Sequence, residues 1–129
     1  MSNQKLEKIL IVDDDSDILE IVKLALSSVG NFSIEVCSSG KEALEKVGIA
    51  KPQLILLDVM MPDMDGPTTL RKIRENPELT DIPVIFLTAK VQKHEVEQLK
   101  KLGALDVISK PFDPMTLSET LSSIWSESK

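Results

Sequence analysis

Four apolar runs in this chain of 129 residues end in side chains that can do chemistry. Residues 9–12 lead into Asp13, Asp14 and Asp15, and residues 54–57 lead into Asp58. Residues 84–87 lead into Thr88, and residues 107–109 lead into Lys110. If these runs are neighbouring parallel strands, their last residues meet at one edge of the sheet. Asp13, Asp14 and Asp58 would then crowd together, which is unfavourable unless a cation joins them. Oxygen donors of this kind suit Mg²⁺ (or Mn²⁺), which keeps several waters and needs only a few carboxylates. A carboxylate can also attack phosphorus to give an aspartyl phosphate. Phosphoryl transfer is mostly positioning and charge neutralisation. The Lys110 ammonium fits the charge, and Thr88 with the backbone N–H of Ala89 fits a phosphoryl oxygen.

These residues need a parallel sheet to hold them, and the hydrophobic pattern supplies one. Strands are predicted over 8–12, 33–37, 53–57, 84–88 and 105–109, several of them almost continuously apolar, as expected of strands covered on both faces. Amphipathic segments alternate with them. In the first, Ile18, Val22, Ala25, Leu26 and Val29 recur at helical spacing before Gly30. The second opens on the capping-box pattern Ser39-Gly40-Lys41-Glu42 and is expected to stop near Gly48. The third starts at Asp65-Gly66-Pro67 and closes before Asn76-Pro77, the fourth runs from Val91 to Leu102, and the fifth follows an Asp113-Pro114 cap. Leu117, Leu121, Ile124 and Trp125 share one face of the last. Such alternation predicts an α/β flavodoxin-like, doubly wound sheet of five parallel strands in the order 2-1-3-4-5, with five helices and right-handed crossovers.

Composition narrows the class further. Hydrophobic residues at 42% and charged residues at 28% are ordinary for a single globular domain. A net charge of −6 disfavours direct binding to nucleic acid or to an anionic membrane, and no run approaches the roughly 20 apolar residues of a spanning helix. The single Cys37 excludes an internal disulfide and fits a reducing cytoplasm.

Four motifs stand out: Ile9-Leu10-Ile11-Val12-Asp13-Asp14-Asp15, the segment from Leu57-Asp58 through Met60-Met61-Pro62-Asp63-Met64-Asp65-Gly66, Phe86-Leu87-Thr88-Ala89-Lys90 and Ser109-Lys110-Pro111-Phe112. Together they resemble the signatures of response-regulator receiver domains, the phosphoacceptor halves of two-component signalling systems. The resemblance covers residues 7–126, leaving short tails at 1–6 and 127–129 and no output domain. It implies that Asp58 accepts a phosphoryl group from a histidine kinase or a histidine phosphotransfer protein. Asp14, Asp58 and the Met60 backbone carbonyl would hold the metal directly, with Asp13 acting mostly through water. Lys110 would meet a phosphoryl oxygen and precede a cis Pro111. Thr88 would swing toward the phosphoryl group and remodel the face of the fourth helix, fifth strand and fifth helix. That face would serve a downstream target, an output domain or a phosphorylation-linked homodimer. Met60 and Lys90, two positions beyond Asp58 and Thr88, would tune the phosphoryl lifetime. Similar domains carry Tyr or Phe three residues before the lysine; here that position is Val107, and the chain has no tyrosine.

Each residue also has a plainer role. Asp13-Asp14-Asp15 alone is a polar strand-to-helix turn, and Asp58 alone a turn residue. Asp63 and Asp65 are read as loop and cap residues, His94 as a surface residue, Cys37 as a small buried apolar group and Trp125 as a packing aromatic. The competing functions are an aspartate-nucleophile phosphohydrolase, a flavodoxin-like cofactor carrier and a receiver-like adaptor that works without phosphorylation. The hydrolase wants an acid/base Asp where Met60 stands, and the carrier wants a phosphate loop where the aspartates stand.

Overall fold

A computed structural model describes residues 5–89 and 92–128 of the chain. The apolar runs form β1 (Lys8–Val12), β2 (Ser33–Cys37), β3 (Leu54–Asp58), β4 (Val84–Thr88) and β5 (Asp106–Ser109), paired in parallel in the order β2-β1-β3-β4-β5. Between them run α1 (Ser16–Ser28), α2 (Gly40–Ala50), α3 (Gly66–Arg74), α4 (Lys93–Lys101) and α5 (Leu117–Glu127). This is the flavodoxin-like order expected from the pattern.

Alternation along the strands divides the core between two layers. Ile9, Ile11, Leu54, Leu56, Ile85 and Leu87 pack with Val22, Leu26, Leu121 and Trp125 on one side. Leu10, Val12, Ile55, Leu57, Val84 and Phe86 pack with Ala43, Val47, Leu70 and Ile73 on the other. Every residue of β3 and β4 is buried, which explains their unbroken apolar character. Trp125 is a packing residue, His94 is exposed and Cys37 is buried, as expected.

Several element ends depart from the expected positions for local reasons. β3 begins at Leu54, although the Gln53 N–H already bonds the Lys8 carbonyl at 2.9 Å, and the Gln53 side chain ties down the chain ahead of β1. Its Oε1 accepts from the N–H groups of Glu7 (2.6 Å) and Lys8 (2.9 Å), while its Nε2 donates to the Lys5 carbonyl (3.0 Å). β5 begins at Asp106, although the Leu105 N–H already bonds the Val84 carbonyl at 2.7 Å. α1 stops at Ser28, so Val29 is an exposed cap and Leu19 takes an inward place on the stripe. Asn31 (φ 59°), rather than Gly30, is left-handed there; Gly30 is required for space, since a methyl group would lie 2.6 Å from the Phe32 ring and 2.9 Å from Ser118 Cβ. α2 runs through Gly48 to Ala50 and ends at left-handed Lys51 (φ 49°), just before Pro52. Its Ser39 cap accepts from the Glu42 N–H at 3.1 Å, but the Glu42 carboxylate reaches back to the Ser38 N–H at 2.7 Å instead of closing the box on Ser39. Asp113 caps a turn by accepting from the Met115 N–H at 2.9 Å, and α5 itself starts at Leu117. The expected start of the fourth helix, Val91, lies outside the described residues.

Gly48 provides a test of this helix end. A methyl group there meets nothing within 4 Å, so Gly48→Ala gains helix propensity without a clash. Urea denaturation of that variant should show a gain of about 0.5–1 kcal/mol. A loss would mean that α2 ends at Gly48 after all.

Candidate functional site

Parallel register carries the chemistry-bearing residues to one edge. Val12 lies beside Leu57, Asp58 beside Leu87, and Thr88 beside Ser109. Asp13, Asp58, Thr88 and Lys110 therefore sit at strand ends or one residue beyond. Backbone bonds extend the ladder past those ends: the Asp13 N–H to the Cys37 carbonyl (3.1 Å), the Val59 N–H to Leu87 (3.1 Å) and the Lys110 N–H to Thr88 (2.9 Å). Carboxylate oxygens of Asp13, Asp14 and Asp58 lie within 4.8 Å of one another. Asp13 is 0% exposed and Asp58 5% exposed, whereas Asp14 stands on the rim in solvent.

One ammonium compensates the two buried acids. Lys110 Nζ is 2.8 Å from Asp13 Oδ2 and 3.1 Å from Asp58 Oδ1. The other Asp13 oxygen accepts from the Asp15 N–H at 3.0 Å. Asp15 in turn caps α1 by accepting from the N–H groups of Asp17 (2.9 Å) and Ile18 (3.3 Å). The three consecutive aspartates thus occupy a pocket wall, a rim and a helix cap. The bond between Lys110 and Asp13 had no signal in the sequence, because only the closed sheet shows which acid the lysine reaches.

Burial pushes the Asp58 carboxyl up to about 6, helped by Asp13 and Asp14 and opposed by the Lys110 hydrogen bond and charge. Burial would lower Lys110, but its hydrogen bonds and charge interactions with Asp13 and Asp58 outweigh it and hold the ammonium above its ordinary value. Thr88 is buried at the end of β4, and Ala89 is exposed immediately after it. Met60 is 63% exposed in the loop after Asp58. Lys90 lies outside the described residues. The Lys110–Pro111 bond is cis, as the resemblance implied. Asp65 caps α3 by accepting from the Thr68 N–H at 2.8 Å, and Asp63 holds a left-handed loop position (φ 68°), so both belong to loop and cap. Val107 is half-buried and packs on the same side of the sheet as Phe86, its register partner. Burial, then Glu42, pushes the Cys37 thiol up to about 12, which suits a small apolar group rather than a reactive thiolate.

A family model described as the response regulator receiver domain matches residues 9–122. The chain belongs to that family. Among curated relatives it is 35% identical over 118 residues to the alkaline phosphatase synthesis transcriptional regulatory protein PhoP of Bacillus subtilis, covering 92% of this chain and 48% of PhoP. It is 37% identical over 124 residues to the probable transcriptional regulator ycf27 of Pyropia yezoensis, covering 96% and 49%. The receiver chain thus spans about half the length of these relatives. Among solved structures, the chemotaxis protein CheY4 of Vibrio cholerae matches with a TM-score of 0.85 at 31% identity over 92% of this chain and 98% of that one. The signal receiver domain of a signal transduction histidine kinase from Syntrophus aciditrophicus matches with a TM-score of 0.81 at 34% identity over 95% and 92%. Receiver domains are signalling modules of two-component phosphorelays. Among the described residues no helix is long and apolar enough to cross a membrane.

The donor set fits a hard divalent cation: three carboxylates converge, and two of them are held in place by Lys110. Mg²⁺ that binds only the folded protein should raise its stability by about 1.4 kcal/mol at ten times Kd. A thermal scan showing no Mg²⁺-dependent rise would count against this donor set.

The raised Asp58 value fixes a pH trend. Because the folded state holds the Asp58 proton more tightly than the unfolded chain, stability from this group is complete below about pH 4 and is lost as pH rises through about 6. Asp58→Asn copies the neutral form. In metal-free solution its stability advantage over the wild type should grow across that window to roughly 2–3 kcal/mol at pH 7. An advantage independent of pH would contradict the assignment.

Proposed function

We propose that this receiver domain accepts a phosphoryl group on Asp58 from the phosphohistidine of a histidine kinase or histidine phosphotransfer protein. The observation that carries the reading is the pair of buried carboxylates sharing one lysine, beside a third carboxylate, at the carboxyl edge of the sheet. An Asp58 oxygen would attack phosphorus, the phosphorus–nitrogen bond would break, and imidazole would leave. Asp14, Asp58 and the Met60 carbonyl are the direct metal ligands in this reading, with Asp13 supporting them through water. When bound, Mg²⁺ (or Mn²⁺) supplies positive charge for the transferring phosphoryl oxygens.

The protein's own groups would do the rest. Lys110 trades one carboxylate contact for a phosphoryl oxygen, while Thr88 and the Ala89 N–H donate to another. The Met60 side chain, an exposed thioether, has no proton to move, which disfavours the hydrolase alternative. Met60 and Lys90 would tune how readily water reaches the acyl phosphate.

The response would appear on the face of α4, β5 and α5. Support comes from the build of that face: none of the nine residues of α4 is buried, no side-chain hydrogen bond caps its start at Gln92, and β5 has no buried residue. Val107 leaves this readout without the usual ring. The proposed unit is residues 7–126, acting in the cytoplasm on a downstream target, an output domain or a second copy, without contacting nucleic acid or membrane itself.

Acetyl phosphate with Mg²⁺ should label the wild type once, with an acid-stable, base-labile group, and Asp58→Asn should take none. Lys110→Ala should label far more slowly. Failure to label the wild type would sink the phosphoacceptor reading.

A further inference from the structure

The loop between β3 and α3 is closed on itself by a single bond, from the Gly66 N–H to the Val59 carbonyl at 2.9 Å. Asp58 stands just before this ring, and Met60 lies within it. A second bond, from the Met64 N–H to the Pro62 carbonyl at 2.7 Å, tightens its tip. Gly66 faces the strand so closely that a methyl group would overlap the Asp58 carbonyl oxygen. The same methyl would lie 2.9 Å from Val59 Cα and 3.1 Å from the Asp58 carbonyl carbon. These obstacles are backbone atoms, which cannot rotate away as a side chain can. Gly66 opens a helix with ordinary dihedrals, so space rather than conformation demands glycine here.

The other side of the same helical turn is also clamped. A methyl group on Gly40, the first residue of α2, would overlap the Thr69 hydroxyl and lie 3.1 Å from Met64 Sδ. Thr69 is 0% exposed, and its hydroxyl donates to the Asp65 carbonyl at 2.8 Å within that turn. The first turn of α3 is therefore a wedge between the α2 start and the backbone of Asp58.

We propose that Gly66 is a positioning residue for phosphoryl acceptance: by letting this wedge seat flat on the Asp58 backbone, it fixes the Asp58 carboxylate and the Met60 carbonyl relative to each other. The inference rests on the reading of Asp58 as phosphoacceptor. A displacement of these groups by even a fraction of an ångström costs rate, because the reaction depends on alignment.

The test labels the full chain with acetyl phosphate across a series of Mg²⁺ concentrations. Gly66→Ala should keep a folded circular dichroism spectrum. Its half-saturating Mg²⁺ concentration should rise about tenfold or more, and its maximal labelling rate should fall about 10- to 100-fold. Gly48→Ala should match the wild type in both. A merely structural role would scale the amount labelled by the folded fraction and leave half-saturation unmoved. A folded Gly66→Ala with both constants at wild-type values overturns the proposal. If Gly66→Ala does not fold, Gly40→Ala decides: it should shift half-saturation several-fold in the same direction, and adding Thr69→Ala, which removes the obstructing hydroxyl, should restore it. An unshifted Gly40→Ala overturns the wedge. A wild type that takes no label, or a label that survives Asp58→Asn, removes the phosphoacceptor reading itself and is told apart by that control.

Discussion

A carboxylate taken out of water must find a cation or a proton, and this receiver places two of them within reach of one lysine. Asp13 satisfies the demand fully, with one oxygen on Lys110 and the other on a backbone N–H. Asp58 satisfies it in part, which leaves its proton affinity raised and its second oxygen uncommitted to the lysine. Lys110 directly follows the last strand, 97 positions beyond Asp13, so the compensation is available only once the whole sheet has closed. The site is therefore a product of the complete fold, and a proton on Asp58 or a cation among the three carboxylates would each relieve its electrostatic tension.

That tension also explains the build of the surroundings. β3 and β4 are buried along their full length, and the ladder continues one residue past the ends of β1, β3 and β5 through backbone bonds. Rigid strand ends keep like charges from drifting apart when uncompensated. Among the described residues no buried side-chain polar atom lacks a hydrogen-bond partner, so the pocket's strain is electrostatic rather than a matter of missing bonds.

The strands and the placement of the candidate site residues were legible in the sequence because parallel strands buried on both faces read as apolar runs, and whatever follows such a run falls at the same edge. Asp13, Asp58, Thr88 and Lys110 all declared themselves this way. Element ends were less legible. Gly48 resembles a stop, yet an exposed glycine is tolerated inside a helix, and it was the approach of Pro52 that ended α2 two residues later. Gln53 resembles a strand residue and its N–H does bond the Lys8 carbonyl, so the start of β3 at Leu54 is a boundary of one residue that no pattern could resolve. Gly66 was visible as part of a capping pattern and as the end of the motif that follows Asp58; its closeness to the Asp58 carbonyl is a tertiary fact that no periodicity encodes.

The thinly anchored α4 has an energetic consequence. It meets the sheet through partly buried residues such as Leu99 and carries exposed charge along most of its length. A second arrangement of such a helix would give up little buried apolar area, so the free-energy gap to it would be small. One or two charge-assisted hydrogen bonds, worth about 1.5–3 kcal/mol each, would be enough to invert the populations across a gap of that size. A helix rooted as deeply as the strands it crosses would need several times more, and one small anion at the sheet edge could not supply it.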